Sequence, residues 1–114
     1  MSEKSIRERV SEIETQMAGE QTTPERTRTF LVQLTGLLGK ASGHLRLCEL
    51  AYKRVLSTKA SEGGVAARAR IAAEGTDAYA TYREARDVHE SIKQMIVTCR
   101  AYLRSLDEEM RLQR

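Results

Sequence analysis

Residues 40–70, KASGHLRLCELAYKRVLSTKASEGGVAARAR, determine the fold of this 114-residue chain. Apolar side chains recur there at helical spacing until the turn signal Ser61-Glu62-Gly63-Gly64, after which a second helical pattern begins. The stretch holds seven lysines and arginines but only two glutamates. It therefore predicts the basic tip of a long antiparallel helical hairpin.

On both sides of this tip the apolar residues follow a heptad pattern, which is typical of helices with coiled-coil-like packing. The pattern before the turn starts at Phe30 or Leu31 and continues to Val55, and the pattern after the turn runs from Tyr82 to Met110. The residues between these limits that are expected to be buried are Leu34, Leu38, Ala41, Leu45, Cys48 and Tyr52 in the first helix, and Ala85, Val88, Ile92, Met95 or Ile96, Cys99, Leu103 and Leu106 in the second.

Local signals set the boundaries of these helices. Thr23 is a good N-cap and Pro24 fits the first helical position, while Gly63 and Gly64 supply the left-handed residue of the cap and the turn. Gly75-Thr76-Asp77 signals a break in the return helix, with Thr76 or Asp77 as the cap of its second part. The predicted organisation is an N-terminal amphipathic helix at 1–18, a linker at 19–23 and the helical hairpin at 24–114, with its turn near 61–64.

The composition favours an all-α protein that self-associates. The chain has one proline and one phenylalanine and lacks tryptophan, and alanine, leucine, glutamate and arginine are its commonest residues. The N-terminal helix carries only a narrow apolar stripe, Ile6, Val10, Ile13 and Met17, so it needs a partner to be stable. Because narrow stripes on long helices bury little surface in one chain, we expect a homo-oligomer.

The net charge of +3 hides a strong asymmetry along the chain. Residues 26–73 hold nine basic and two acidic residues, a net charge of +7, whereas the flanking segments 1–25 and 74–114 are both net acidic. Such concentrated positive charge suits an anionic partner, either nucleic acid or an acidic protein surface.

Several features predict a soluble protein of the cytoplasm. The N-terminus, MSEKSIRERV, has no hydrophobic signal region, and no stretch is apolar enough to cross a membrane. Cys48 and Cys99 have no metal-like spacing and lie within apolar stripes, so both are interpreted as small core residues of a reduced protein.

The sequence offers no catalytic constellation. His44 and His89 lack partners at metal-ligand spacing and are interpreted as solvated or packing residues. Gly63-Gly64 follows a helix, whereas a phosphate-binding glycine loop follows a strand. The paired carboxylates Glu108 and Glu109 lie on a polar helical face and are interpreted as solvated surface residues. We expect no enzymatic activity, no cofactor and no metal.

The basic tip remains as the candidate site for an anion. Arg46, Lys53, Arg54 and Lys59 precede the turn and Arg68 and Arg70 follow it, and an antiparallel hairpin brings such positions together within a few helical turns. The alternative is that these cations only keep the tip soluble. Tyr52 could stack on an unpaired base, although its heptad position favours packing in the core.

A known family shows a similar arrangement of residues. Leu45-Arg46-Leu47, Tyr52-Lys53-Arg54, a glycine-containing turn and a return helix ending in Tyr102-Leu103-Arg104-Ser105-Leu106-Asp107 resemble the phage recombination mediator proteins of the UvsY type, over about residues 27–112. The resemblance implies an oligomeric helical protein that binds single-stranded DNA. It also implies a role in loading a recombinase where a single-strand-binding protein already sits, in the cytoplasm of the host cell. Lys53, Arg54 and Lys59 are the positions closest to the family's DNA-binding group.

A second hypothesis is a helical interaction module that binds another protein without binding DNA. In that case the chain is an adaptor or an inhibitor of a host protein, and its apolar stripes and acidic N-terminal helix provide the contact surface.

Overall fold

The computed structural model describes residues 4–19 and 23–113. They form four α-helices, α1 (Ile6–Gly19), α2 (Pro24–Ser61), α3 (Ala66–Glu74) and α4 (Asp77–Leu112), and these described residues contain no strand. The all-α prediction is therefore confirmed. Most of the predicted linker and the first three residues of the predicted N-terminal helix lie outside the described residues. No helix in the described part has the length and apolar character that a membrane span requires.

The chain divides into two compact units. One, here called the terminal unit, comprises Met1–Lys40 and Glu90–Arg114, and the other, the central unit, comprises Ala41–His89. Helices α2 and α4 each contribute one part to the terminal unit and one part to the central unit. The hairpin expected over residues 24–114 is thus shared between both units.

The helix ends follow the capping signals of the sequence. The backbone N–H of Arg26 donates to Oγ1 of Thr23 over 3.2 Å, so Thr23 caps α2 as predicted. Ser5 caps α1 in the same way, because its Oγ accepts the N–H of Glu8 at 3.1 Å. This second cap was not expected from the sequence.

The turn after α2 depends on two glycines in the left-handed region of backbone conformation. Gly63 has a φ of 93° and Gly64 a φ of 110°, values that residues with a Cβ atom rarely adopt. Both glycines follow the end of α2, as the sequence predicted.

The return segment is interrupted at Gly75 and Thr76, where α3 ends and α4 begins. Oγ1 of Thr76 donates to the carbonyl oxygen of Ala73 at 2.6 Å and accepts the N–H of Tyr79 at 3.4 Å. Of the two caps that the sequence allowed at this break, Thr76 is the one that forms a side-chain hydrogen bond to the new helix.

The core of the terminal unit is built from three helices. Leu34 and Ile92 are fully buried at its centre. The heptad pattern selected Leu38, but Leu37 is buried and Leu38 only half-buried. The reason is the third helix, because Leu37 and Ile13 of α1 line the same cleft, so α1 covers a flank of α2 that a two-helix pattern leaves in solvent. The other buried apolar residues of this unit are Val10, Phe30, Ile96 and Cys99.

The central unit buries mainly small residues between α2 and the return segment. Two contacts define the direction of its helices, since Ser42 meets His89 and Tyr52 meets Tyr79. The later residue of α2 contacts the earlier residue of α4, so the two helices are antiparallel within this unit. The buried residues here are Ala41, Cys48, Ala69, Ala73 and Ala85.

Candidate nucleic-acid interface

All six cations that the sequence selected belong to the central unit. Helix α2 carries Arg46, Lys53, Arg54 and Lys59, and α3 carries Arg68 and Arg70. Five of them are exposed, whereas Lys59 is half-buried, with 34% of its side chain accessible. We call these six residues the basic surface.

Three of the cations share the outer face of α2. Arg46 precedes Lys53 by seven residues and Arg54 by eight, spacings that place the three side chains within about 100° of one another around the helix axis. Leu47 and Leu50 lie between them on this face, and their exposed fractions are 68% and 49%. The outer face of α2 therefore combines positive charge with accessible apolar surface.

The sequence did not mark these two leucines as accessible apolar residues beside the cations, although Leu47 lies in the segment Leu45-Arg46-Leu47. They occupy positions outside the heptad pattern of α2, in which Leu45, Cys48 and Tyr52 are the neighbouring members. An apolar residue outside the buried stripe of an amphipathic helix is the signal that could have identified them.

The charges of the basic surface are compensated unevenly. Nζ of Lys53 lies 3.2 Å from Oε1 of Glu49, and Nζ of Lys59 lies 3.9 Å from Oε2 of Glu62. Exposed pairs of this kind contribute at most about 0.5 kcal/mol each, so water or an anion readily displaces them. The four cations that form no ion pair with any described residue are Arg46, Arg54, Arg68 and Arg70.

Helix α3 holds its two arginines on an exposed face. Its contact with the rest of the unit is made by Ala69 and Ala73, which are 8% and 0% exposed. Ile71 on the same short helix is 70% exposed. The α3 surface therefore repeats the combination of arginine and accessible apolar side chain that is seen on α2.

Tyr52 is engaged in packing within the central unit. Its ring centroid is 5.2 Å from that of Tyr79 and 5.5 Å from that of Tyr82. The guanidinium carbon of Arg86 lies 5.6 Å from the centroid of the Tyr82 ring. Of the two roles that the sequence left open for Tyr52, the structure places it among other rings, in the packing role.

The two histidines contact small polar or sulfur-containing side chains. Nε2 of His89 lies 3.0 Å from Oγ of Ser42, and Nε2 of His44 lies 3.6 Å from Sγ of Cys48. Among the described residues, no three His, Cys, Asp or Glu side chains are grouped so that they could hold a metal ion.

Comparison of the chain with protein-family models, with curated proteins and with solved structures gives no match.

Proposed function

We propose that this chain is a non-enzymatic, oligomeric protein that binds single-stranded DNA through its basic surface. The observation that carries the proposal is that the four arginines of α2 and α3 in the central unit, Arg46, Arg54, Arg68 and Arg70, are exposed and have no carboxylate partner among the described residues. Guanidinium groups pair with phosphate through two parallel hydrogen bonds, and this geometry favours arginine at phosphate contacts.

The accessible apolar side chains among the cations favour a single strand over a duplex. Leu47 and Leu50 are accessible on the same face of α2 as Arg46, Lys53 and Arg54. In duplex DNA the faces of the bases are stacked inside the helix, whereas a single strand exposes them. A surface that offers both cations and apolar contacts gains more from a strand whose bases are accessible.

Self-association completes the proposal. One basic surface neutralises few phosphates, so its affinity alone is modest and falls steeply with salt. Several copies in one assembly convert later contacts with the same strand into intramolecular steps. Because the apolar stripes of the long helices are largely buried within one chain, exposed apolar residues of α4 such as Val97, Met110 and Leu112 are left to pack against another copy, as in a coiled coil.

The biological role follows from the resemblance to phage recombination mediators. A multivalent protein on single-stranded DNA assists the loading of a recombinase onto DNA that a single-strand-binding protein already covers. We place this activity in the cytoplasm of the host cell, and it requires no cofactor.

The test measures the fluorescence anisotropy of a labelled single-stranded oligonucleotide over a range of salt concentrations. Replacing Arg46, Arg54, Arg68 and Arg70 by Gln should weaken binding and reduce the slope of log K against log salt by about 0.7 for each phosphate that the protein no longer neutralises. The matched control replaces four exposed arginines of the terminal unit, Arg28, Arg100, Arg104 and Arg111, and produces the same change of net charge.

Retention of binding by the control variant supports the assignment to the basic surface. Equal loss in both variants would mean that only the net charge matters, and absence of binding by the wild-type protein at low salt would reject DNA binding altogether. Mass measurement in solution, with and without the oligonucleotide, tests the oligomer separately, since a stable monomer contradicts it.

A second candidate function is a protein-interaction module that acts as an adaptor or an inhibitor of a host protein. The exposed fractions of Val65 and Ile71, 68% and 70%, favour it, because apolar residues around Arg68 and Arg70 suit an acidic and partly apolar protein surface. Failure of oligonucleotide binding together with the capture of one defined host protein would favour this function over the first.

A further inference from the structure

The terminal unit contains a cleft between α1 and α2 that none of the preceding functions uses. Its volume is about 410 Å³, within the range of clefts that take small organic molecules. Ile13 of α1 and Leu37 and Val32 of α2 line its apolar part. Ile13 and Leu37 are each only 6% exposed, so the floor of the cleft belongs to the core and is built by two helices.

The rim of this cleft carries an excess of positive charge. Lys4, Arg9, Lys40 and Glu12 all line it, and Lys4 forms an ion pair with Glu12. Arg9 and Lys40 form no ion pair with any described residue. Two uncompensated cations thus come together beside an apolar floor, one from each helix.

Gly36 lies beside open space in the cleft. It lines the cavity, and a Cβ atom built at this position meets no atom within 4 Å. The space next to its Cα is therefore part of the cleft rather than a close helix contact.

We propose that this cleft binds an organic anion with an apolar body and a carboxylate or phosphate head. The head pairs with Arg9 and Lys40, and the body covers Ile13, Val32 and Leu37. The ligand needs both parts, because the cleft offers an apolar floor for the body and two cations without an ion-pair partner among the described residues for the head. Charge-assisted hydrogen bonds to arginine are about twice as strong as neutral ones, which favours an anion over a neutral polar ligand.

Binding should also order α1. This helix has 14 residues and buries only Val10 and Ile13, so it is marginal without its contacts to α2. A ligand that contacts both helices stabilises only the docked state. At a ligand concentration of 100 times Kd, amide exchange in α1 through undocking should slow by about 100-fold.

In the experiment the protein is titrated with octanoate and with octyl phosphate. Calorimetry measures the binding, and amide exchange measures the ordering of α1. Octanol and acetate are the controls, because the first lacks the charge and the second lacks the apolar body. We expect the two amphiphilic anions to bind and the controls to bind at least about tenfold more weakly, a difference of one charge-assisted hydrogen bond or more. Comparing the affinity for octanoate with that for octyl phosphate distinguishes a carboxylate site from a phosphate site.

Two glycine variants locate the site. Gly36→Leu fills the cleft with a side chain, whereas Gly39→Leu places the same side chain on α2 at a glycine that does not line it. Space is open at both positions, and leucine is a better helix former than glycine, so both variants should fold. The proposal expects Gly36→Leu to lose ligand binding and Gly39→Leu to keep it.

Replacing Arg9 and Lys40 by Gln should lower the affinity for octanoate and octyl phosphate and leave the weaker affinity for octanol unchanged. The proposal is overturned if neither anion binds the wild-type protein, or if Gly36→Leu binds as tightly as Gly39→Leu. The cleft lies outside the basic surface, so these outcomes are independent of DNA binding.

Discussion

The ring of Tyr52 on α2 lies stacked on the ring of Tyr82 on α4, with centroids 5.5 Å apart and planes inclined by 15°. Tyr79 adds a tilted ring at 5.2 Å from Tyr52. These three tyrosines join the two helices of the central unit where the other buried residues are small. They contribute to stability and leave the ring of Tyr52 half-buried instead of presenting it to a ligand.

Replacing Tyr52 by Ala should therefore lower the free energy of unfolding by about 3 kcal/mol, because large-to-small changes at packed aromatic positions cost this much. Urea denaturation followed by circular dichroism measures the change. Tyr52→Phe keeps the ring contacts and should bind the oligonucleotide as tightly as the wild type. A loss of DNA affinity in the folded Tyr52→Phe protein would instead assign the hydroxyl to the interface.

The centre of the terminal unit should be sensitive to the removal of a single side chain. Leu34 is 0% exposed and Val32, two residues earlier on α2, is 73% exposed. Leu34→Ala should cost about 2–5 kcal/mol through reduced apolar burial and the cavity that remains. Val32→Ala should change stability by no more than about 0.5 kcal/mol. Equal effects of the two changes in urea denaturation would show that the core is not organised as described.

Glycines of this chain should respond to alanine in opposite directions. Gly39 and Gly43 lie inside α2 with open space at the Cβ position, so alanine should stabilise the protein by about 1 kcal/mol at each. Gly63 and Gly64 have positive φ angles, and alanine there should destabilise it by about 1–2 kcal/mol. Thermal denaturation of the four single variants compares the two pairs, and stabilisation by Gly63→Ala would contradict the observed turn.

The N-cap of α2 should contribute measurably to stability. Thr23→Ala removes the oxygen that accepts the N–H of Arg26 and should cost about 1 kcal/mol. The control is Thr29→Ala within the same helix, where the hydroxyl only donates to the carbonyl oxygen of Glu25. This control should be neutral or slightly stabilising, since alanine is the better helix former. A Thr23→Ala protein as stable as the control would mean that the cap has no net effect.

Alkaline pH should destabilise the protein through Cys99. This thiol is 1% exposed, and burial raises its pKa above the ordinary value of 9.0. The unfolded chain therefore releases this proton at lower pH than the folded protein does, so stability is complete below about pH 9 and falls as the pH rises further. Urea denaturation between neutral and alkaline pH should show this fall, and Cys99→Ala should reduce its slope. An unchanged slope in the variant would assign the effect to other groups.

Most helix boundaries could be predicted from the sequence because the interactions that fix them are local. The Thr23 cap, the end of α2 before Gly63 and Gly64 and the break at Thr76 all depend on residues within a few positions of one another. The period of the apolar residues similarly predicted Leu34, Ile92 and Cys99 as buried. Residues of these types at these spacings are sufficient for an all-α chain.

The surfaces could be predicted only in part, because the pairing and exposure of a side chain depend on its conformation and on which helices cover it. The sequence selected the cations of the basic surface, but it did not distinguish Arg46 and Arg54, which have no carboxylate partner among the described residues, from Lys53 and Lys59, which pair with nearby glutamates. The sequence also did not identify Leu50, which is exposed on α2 between Arg46 and Lys53.

Local sequence is sufficient to specify the helices, their caps and the location of the excess positive charge, since each is a property of neighbouring residues. Packing between helices determines that Leu37 rather than Leu38 is buried, that Tyr52 packs against Tyr82, and that Arg9 and Lys40 meet at one cleft. These features arise where one helix covers a particular flank of another. The heptad pattern of a single helix indicates roughly which side is buried. It does not distinguish neighbouring positions such as Leu37 and Leu38, because the choice depends on where the next helix packs.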